Sequence, residues 1–443
     1  KNKNIDDYGA KLLSKHFFIF LFFFTSGIFF YLILRKIIDS ENFAIIGTGI
    51  SGLTAAYLLS RNHNITVFES NKYVGGHTHT HEIDLGGKKW AVDTGFIVYN
   101  ERTYPNFIKL LDLLKVERQI TSMGFSVKSA EKNLEYAGHS MNALFAQRLN
   151  MFRPSFIRML RSILRFNSEA ENHIDKLEEY VTLGDYLSIY SYPEEFINHF
   201  IIPMGAAIWS TKPSNMLKMP AMFFIQFFRN HGLLAVKDRP NWWVIKGGSK
   251  CYVEKLIIGF KNNIRISTPV QKVERNESSV KIIYGKTSFE SETFDAVIFA
   301  THSDQALNIL ENPSVQEVEI LEALQYQKNE ALLHLDESIL PNRKLAWASW
   351  NYFLDQNPEE PVALTYNMNI LQSLNSDKTF CVTLNNHDAI DPNKVIKKII
   401  YHHPLFTVDG IKAQGRKNEI NGQKNTYYCG AYWHNGFHED GVV

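Results

Sequence analysis

The chain has 443 residues, 45% hydrophobic and 21% charged, a make-up that excludes a disordered chain and is long enough for two domains. Its 47 basic and 46 acidic residues leave a net charge of +1, so nothing draws it electrostatically to nucleic acid. Three widely spaced cysteines, Cys251, Cys381 and Cys429, form no CxxC pair and point to free thiols in a reducing compartment.

The first feature in chain order is "FFIFLFFFTSGIFFYLIL", Phe17 to Leu34, a run of 18 residues without charge. As a helix it would be about 27 Å long, enough to cross a bilayer core. Lysines and arginines flank both ends, which leaves its orientation open, and no small-x-small cleavage site follows. The expectation is a cytoplasmic protein, anchored to a membrane through 17–34 if that segment belongs to the native chain.

Next comes "NFAIIGTGISGLTAAYLLSRNHNITVFES". A short apolar strand, Phe43 to Ile46, runs into Gly47-x-Gly49-x-x-Gly52, a helix follows, and a second apolar run, Ile65 to Phe68, ends at Glu69. Each position has a physical reason. Gly47 permits the tight turn, Gly49 lets the backbone approach a pyrophosphate, and Gly52 lets helix and strand pack closely. Glu69, 22 residues after Gly47, stands where an acid accepts ribose hydroxyls. Strand, glycines, helix, strand and acid in this order form a dinucleotide-binding fingerprint.

The loop that follows, "SNKYVGGHTHTHE", carries His77, His79 and His81 at alternating positions. In an extended strand these share a face, as a metal site would require. No Cys or carboxylate pair at ligand spacing lies nearby, and a metal would compete with the dinucleotide for the same space. The reading is no metal, with the histidines serving the cofactor loop or packing, and with Gly75-Gly76 allowing close backbone approach.

From Glu101 to Trp243 the pattern is largely helical, with apolar residues at three-to-four spacing in Tyr104–Leu114 and Phe156–Phe166 and a helix start at Thr182. The segment "MPAMFFIQFFRNHGLL", Met219 to Leu234, is dense in Phe and Met, either a buried core helix or the wall of an elongated apolar tunnel. Ala331–Leu340, Trp347–Phe353, Pro361–Leu371 and Thr379–Asn385 alternate and are rich in β-branched and aromatic residues, and read as antiparallel strands. Trp347 and Trp350 line a pocket or pack in the core. Cys429 reads as a small buried hydrophobe or as a redox residue.

Further motifs join these: "GGHTHT" (Gly75–Thr80), "VDTGFIVYNERTYPN" (Val92–Asn106), "PMGAAIWS" (Pro203–Ser210), "NHGLL" (Asn230–Leu234), "GGSKCYV" (Gly247–Val253), "ATHSDQAL" (Ala300–Leu307), "WASWNY" (Trp347–Tyr352) and "GAYWHNGFHEDG" (Gly430–Gly441). In their number and order the chain resembles the flavin-containing amine oxidoreductase superfamily, and within it bacterial FAD/NAD-binding proteins associated with fatty-acid modification, over about Asn42 to Gly441.

The resemblance implies an α/β fold with a discontinuous Rossmann-like FAD-binding domain (42–100, 245–307 and 425–443). An inserted α+β, amine-oxidase-like substrate domain (101–244 and 308–424) and an N-terminal extension (1–41) complete it. It implies FAD, and it places Gly47, Gly49, Ser51, Gly52, Glu69, Gly76, His77, Val270, Thr301, Glu439 and Asp440 near the cofactor. Val270 would serve the adenine half and Thr301 the diphosphate. The superfamily's usual Gly-Gly-Arg is Gly-Gly-His here, with His77 in place of a guanidinium.

Relatives normally begin at the first strand, so residues 1–41 are either native or foreign to the protein. "GFHEDG" is expected to open a helix facing the flavin, with the native chain continuing beyond Val443. The function implied is hydride removal from a carbon-centred, hydrophobic, fatty-acyl substrate, with a small-molecule or lipid partner and no nucleic acid. An amine or polyamine oxidase and a non-catalytic flavin-binding membrane partner are the alternatives. No catalytic residue is assigned; Lys246, before Gly247-Gly248, reads as a solvated lysine.

Overall fold

The computed structural model describes residues 40–235, 238–355 and 357–443; the apolar segment 17–34 lies outside them. The first strand, Asn42–Ile46, pairs in parallel with Asn64–Phe68 on one side and Ala296–Phe299 on the other. Ile264–Arg265 and Thr426–Tyr428 extend the two edges, also in parallel. Chain order therefore reverses between Asn42–Ile46 and Ala296–Phe299, which makes this the topological switch point of the sheet.

Alternation explains why these runs are apolar throughout. Phe43, Ile45, Ile65, Val67, Ala296 and Ile298 face the helices Ile50–Leu59, Pro105–Leu113 and Lys250–Leu256. Ala44, Ile46, Phe68, Val297 and Phe299 face the opposite way. There they meet a three-stranded antiparallel sheet, Val270–Arg275, Val280–Tyr284 and Glu290–Phe294. A parallel sheet covered on both faces needs apolar residues at both parities.

A seven-stranded sheet forms the second body, in the order Val395–Pro404, Tyr326–His334, Cys381–Leu384, Leu364–Asn367, Trp350–Phe353, Phe125–Ser129, Leu134–Ala137. Its neighbours are antiparallel except Trp350–Phe353 against Phe125–Ser129. The stretch 101–243 is largely helical and also carries the strands Arg118–Thr121, Phe125–Ser129, Leu134–Ala137 and Trp242–Ile245. Two expectations need correction here. Met368–Leu371 is a helical turn, because the Asn367 side chain accepts from Ile370 N–H and caps it. Ala331–Leu340 is strand only to His334, and Asp336 caps the 3₁₀ turn Glu337–Ile339.

Helices Pro154–His173, Leu183–Ile189, Ile202–Trp209 and Ala221–Asn230 pack against one part of this sheet in the largest core. Thr182 starts its helix as the sequence indicated, its hydroxyl accepting from Asp185 N–H in a reciprocal capping box. Among the described residues no helix is long and apolar enough to cross a membrane.

Candidate functional site

A cavity of ≈ 1420 Å³ runs from the C-terminal ends of the parallel strands into the helical block. The turns after Asn42–Ile46, Asn64–Phe68, Ala296–Phe299 and Thr426–Tyr428 deliver Gly47–Ser51, Glu69–Asn71, Ala300–His302 and Gly430–Tyr432 to its wall. This is where an open α/β sheet holds ligands.

The glycine turn is built for close approach. Gly47 has φ +106°, and a Cβ there would stand 2.6 Å from the Ala300 carbonyl oxygen. On Gly52 a Cβ would meet Gly47 O at 2.0 Å, so the helix can sit this near the strand only without one. Gly49, the helix N-cap, has nothing within 4 Å of its missing Cβ, and it lines the cavity beside Gly76.

Glu69 is buried and fully engaged. One carboxylate oxygen accepts from Thr48 N–H (3.1 Å) and from the Thr48 hydroxyl; the other accepts from Asn71 N–H and its side-chain amide, both at 2.8 Å. Two of these donors are main-chain and fixed, while the other two sit on side chains that can rotate. One acceptor position on each oxygen can thus be handed to an incoming hydroxyl. Sequence reasoning missed Thr48, which occupies the free position of Gly-x-Gly, and Asn71; neither carries a signal in the fingerprint.

His79 and His81 stay side by side, their ring centroids 4.1 Å apart, while His77 alone of the three lines the cavity. His79 stacks on Tyr73 at 4.0 Å and pairs with Tyr401 Oη, and His81 pairs with Thr94. His77 lines the cavity with a buried Nε2 that has no hydrogen-bond partner. Burial and the neighbouring His402 lower its pKa to about 4, so the imidazole is neutral. His302 and His403, also on the cavity wall, are lowered to about 3 by burial and by His77.

Of the other residues placed near the cofactor, Ser51, Val270 and Thr301 line the cavity, and Glu439 and Asp440 do not. The Glu439 carboxylate accepts from Asn106 and Phe107 N–H at 2.9–3.1 Å, capping the helix Pro105–Leu113. Asp440 accepts from Phe437 N–H at 2.8 Å and caps the final helix, His438–Val442. The terminal motif reaches the cavity instead through Phe437 and His438. His438 stacks on Phe96 at 3.5 Å and pairs with Thr78 and Tyr252 at 3.0 and 3.1 Å, tying the chain's end to the histidine loop. The motifs around Asp93 and Ser249 are likewise joined, because Asp93 accepts from Ser249 N–H and Oγ and from Gln372.

Lys246 lies at the surface, paired with Glu117 at 3.0 Å. Burial pushes the Cys429 thiol up to about 12, and the residue does not line the cavity. Trp350 lines the cavity, whereas Trp347 donates to Pro341 O at 2.7 Å outside it. The helix Ala221–Asn230 serves both roles proposed for its segment. Phe227 and Phe228 face the cavity, while Phe223 stacks on Phe406 at 4.9 Å and Phe224 is buried in the core.

The arm beyond the strand ends is walled by Tyr136, Phe145, Leu160, Ile163, Phe200, Met204, Ile208, Trp209 and Phe227. Among the described residues, Glu69, at the opposite end, is the cavity's only carboxylate.

Residues 50–340 match the model of the flavin containing amine oxidoreductase family. The chain belongs to that family, whose cofactor is FAD and whose members are FAD-dependent oxidoreductases. It is 23% identical over 299 residues to an L-amino-acid oxidase of Echis ocellatus, covering 62% of this chain and 55% of that one. The chain thus spans about half the length of such curated relatives. Among solved structures, the CLA-producing fatty acid isomerase from P. acnes superposes with TM-score 0.65 at 15% identity, covering 91% of this chain and 96% of the other. Cyclohexylamine oxidase from Brevibacterium oxydans IH-35A gives 0.64 at 14%, with the same coverage. At these identities the likeness is one of fold.

Proposed function

We propose that the protein oxidises a carbon-centred, elongated apolar substrate, a fatty-acyl lipid, by hydride transfer to FAD. The residues present fit the cofactor. The bare Gly49 beside Gly76 can take a diphosphate, Glu69 can yield one position per oxygen to a ribose diol, and His77 Nε2 is a buried polar atom awaiting a partner. Val270 and Thr301 would serve the adenine and diphosphate portions from the cavity wall. When bound, FAD supplies the hydride acceptor.

The chain's own residues position the substrate and exclude water. Phe227 stacks on His231 at 3.8 Å and on Phe437 at 5.3 Å, and all three line the one cavity that joins the apolar arm to the strand ends. His77, neutral at pH 7, can donate or accept one hydrogen bond there without bringing a charge.

The observation that carries the substrate class is the lining of the arm, mostly apolar, with His139 and Asn167 near Met141 and Leu164 and without a carboxylate. Each methylene buried there contributes about 0.8 kcal/mol. An ammonium substrate would have no anion to meet it, which weighs against an amine or polyamine oxidase. Anaerobic mixing with fatty-acyl lipids, polyamines and L-amino acids tests the reading through loss of flavin colour. Acyl lipids are expected to bleach the flavin, and bleaching by a polyamine but not by acyl lipids overturns the proposal.

A further inference from the structure

The apolar arm reaches the surface at Met141 and Leu164, which line the cavity and yet are 70% and 58% exposed. The surface around this mouth is unusually apolar. Leu149 (69% exposed) and Phe152 (79%) project from the 3₁₀ turn Arg148–Phe152, which leads directly into the helix Pro154–His173. From Pro154 to Leu164 that helix extends about 15 Å. A cluster of large exposed side chains on this scale marks a contact surface.

The charge of the same segment is one-sided. Between Glu135 and Glu169 there is no Asp or Glu, and there are five arginines. Arg158 and Arg165 are paired, with Glu195 and Glu169. Arg148 and Arg153 meet only neutral acceptors, the Phe145 and Asn133 carbonyls among them at 2.8 and 2.7 Å, and Arg161 has no partner among the described residues. Three guanidinium charges therefore remain uncompensated beside the exposed Leu and Phe side chains. Apolar tips among unpaired cations suit an anionic lipid leaflet, into which such a surface sinks by roughly 5–10 Å.

We propose that this face docks on an anionic membrane: Leu149 and Phe152 enter the leaflet, Arg148, Arg153 and Arg161 meet phosphate headgroups, and the mouth between Met141 and Leu164 opens toward the acyl chains. The proposal rests on the acyl-substrate reading for its purpose and on this surface for its geometry. It does not involve the apolar segment 17–34.

The test must therefore read the position itself. The full chain with FAD, carrying Phe152→p-benzoylphenylalanine, is illuminated on vesicles of phosphatidylglycerol and phosphatidylcholine, and phospholipid adducts are measured by mass spectrometry. The control is the same replacement of Phe289, 66% exposed beside the small three-stranded sheet. Adducts at position 152 at least tenfold above those at 289 are expected. Equal yields, or cross-links from 152 to a second copy of the chain, overturn the docking face. In parallel, L149E/F152E is expected to slow flavin reduction by vesicle-embedded acyl lipid at least tenfold, while the same lipid in detergent reduces the flavin at the unchanged rate. An equal fall in both settings counts against docking. If acyl lipid reduces the flavin in neither, the substrate reading fails, and the cross-linking result still decides the docking face on its own.

Discussion

Replacing Glu69 by Ala separates what the carboxylate does for the fold from what it does for the cofactor. In the unliganded protein it satisfies two main-chain donors. Asn71 is exposed and its N–H can turn to water, but Thr48 is fully buried and its N–H would be left without an acceptor. The expected loss of folding stability is thus that of one unsatisfied buried donor, about 1–3 kcal/mol. A charged hydrogen bond to the ribose is worth about 1.5–3 kcal/mol, so the dissociation constant for FAD should rise about ten- to a hundredfold. Urea denaturation of the apoprotein gives the first quantity, and titration of apoprotein with FAD, followed by quenching of flavin fluorescence, gives the second. An unchanged FAD affinity alongside a lowered denaturation midpoint would refute the ribose role and leave Glu69 a staple between Thr48 and Asn71.

The two phenylalanines of Ala221–Asn230 should behave oppositely. Phe227→Asp is expected to end lipid-driven reduction with FAD retained, whereas Phe223→Asp, at a residue that does not line the cavity and packs on Phe406, should lower the melting temperature and release flavin. Burial holds Asp93 up at about 6 in the folded protein, against an ordinary value of about 3.9. The folded state binds that proton more tightly, so its stabilisation, about 3 kcal/mol, is complete below about pH 4 and lost as pH rises through 6. Urea midpoints at pH 4.5 and 7 should show this in the wild type, and Asp93→Asn should flatten that component; the same pH slope in both proteins would exclude Asp93 as its source. Arg275 and Glu317 form a buried pair, at 2.6 and 2.9 Å, that also receives Tyr428 Oη. Arg275→Met alone should destabilise by about 3–5 kcal/mol, with R275M/E317L recovering most of it in the same denaturation assay.

The dinucleotide fingerprint was legible because each of its positions admits so few residues. Strand, turn, helix and second strand lie within a residue or two of where the sequence puts them, and Gly47 and Gly52 meet backbone that leaves no room for a Cβ. The strands Phe125–Ser129 and Leu134–Ala137 were hidden for the opposite reason. They are short, and although they pair with each other across the turn at 130–133, Phe125 finds its parallel partner at Trp350, 225 residues away, so no local pattern announces their place in the sheet. Glu439 and Asp440 show what an acidic motif leaves unsaid. A sequence displays the carboxylates but not which N–H groups compete for them, and here two helix ends do. Nor can helical periodicity separate Phe224 in the core from Phe227 on the cavity wall, since both sides of that boundary are apolar.

The switch point in the parallel sheet has a consequence for biosynthesis. Asn42–Ile46 lies beside Ala296–Phe299, whose other neighbour is Thr426–Tyr428, so the sheet spans about 380 residues of chain. At ribosomal rates of about 5–20 residues per second, the first strand waits roughly 20–75 s for the last. For roughly the first 13–50 s of it, until Ala300 is made, the glycine turn lacks the carbonyl that packs against it, and the strands emerge with open edges. Such long-range pairing folds slowly. FAD captured as the last strand docks would act by mass action on a sheet that is otherwise slow to close, and flavin-starved cells should accumulate the chain in aggregates rather than as soluble apoprotein.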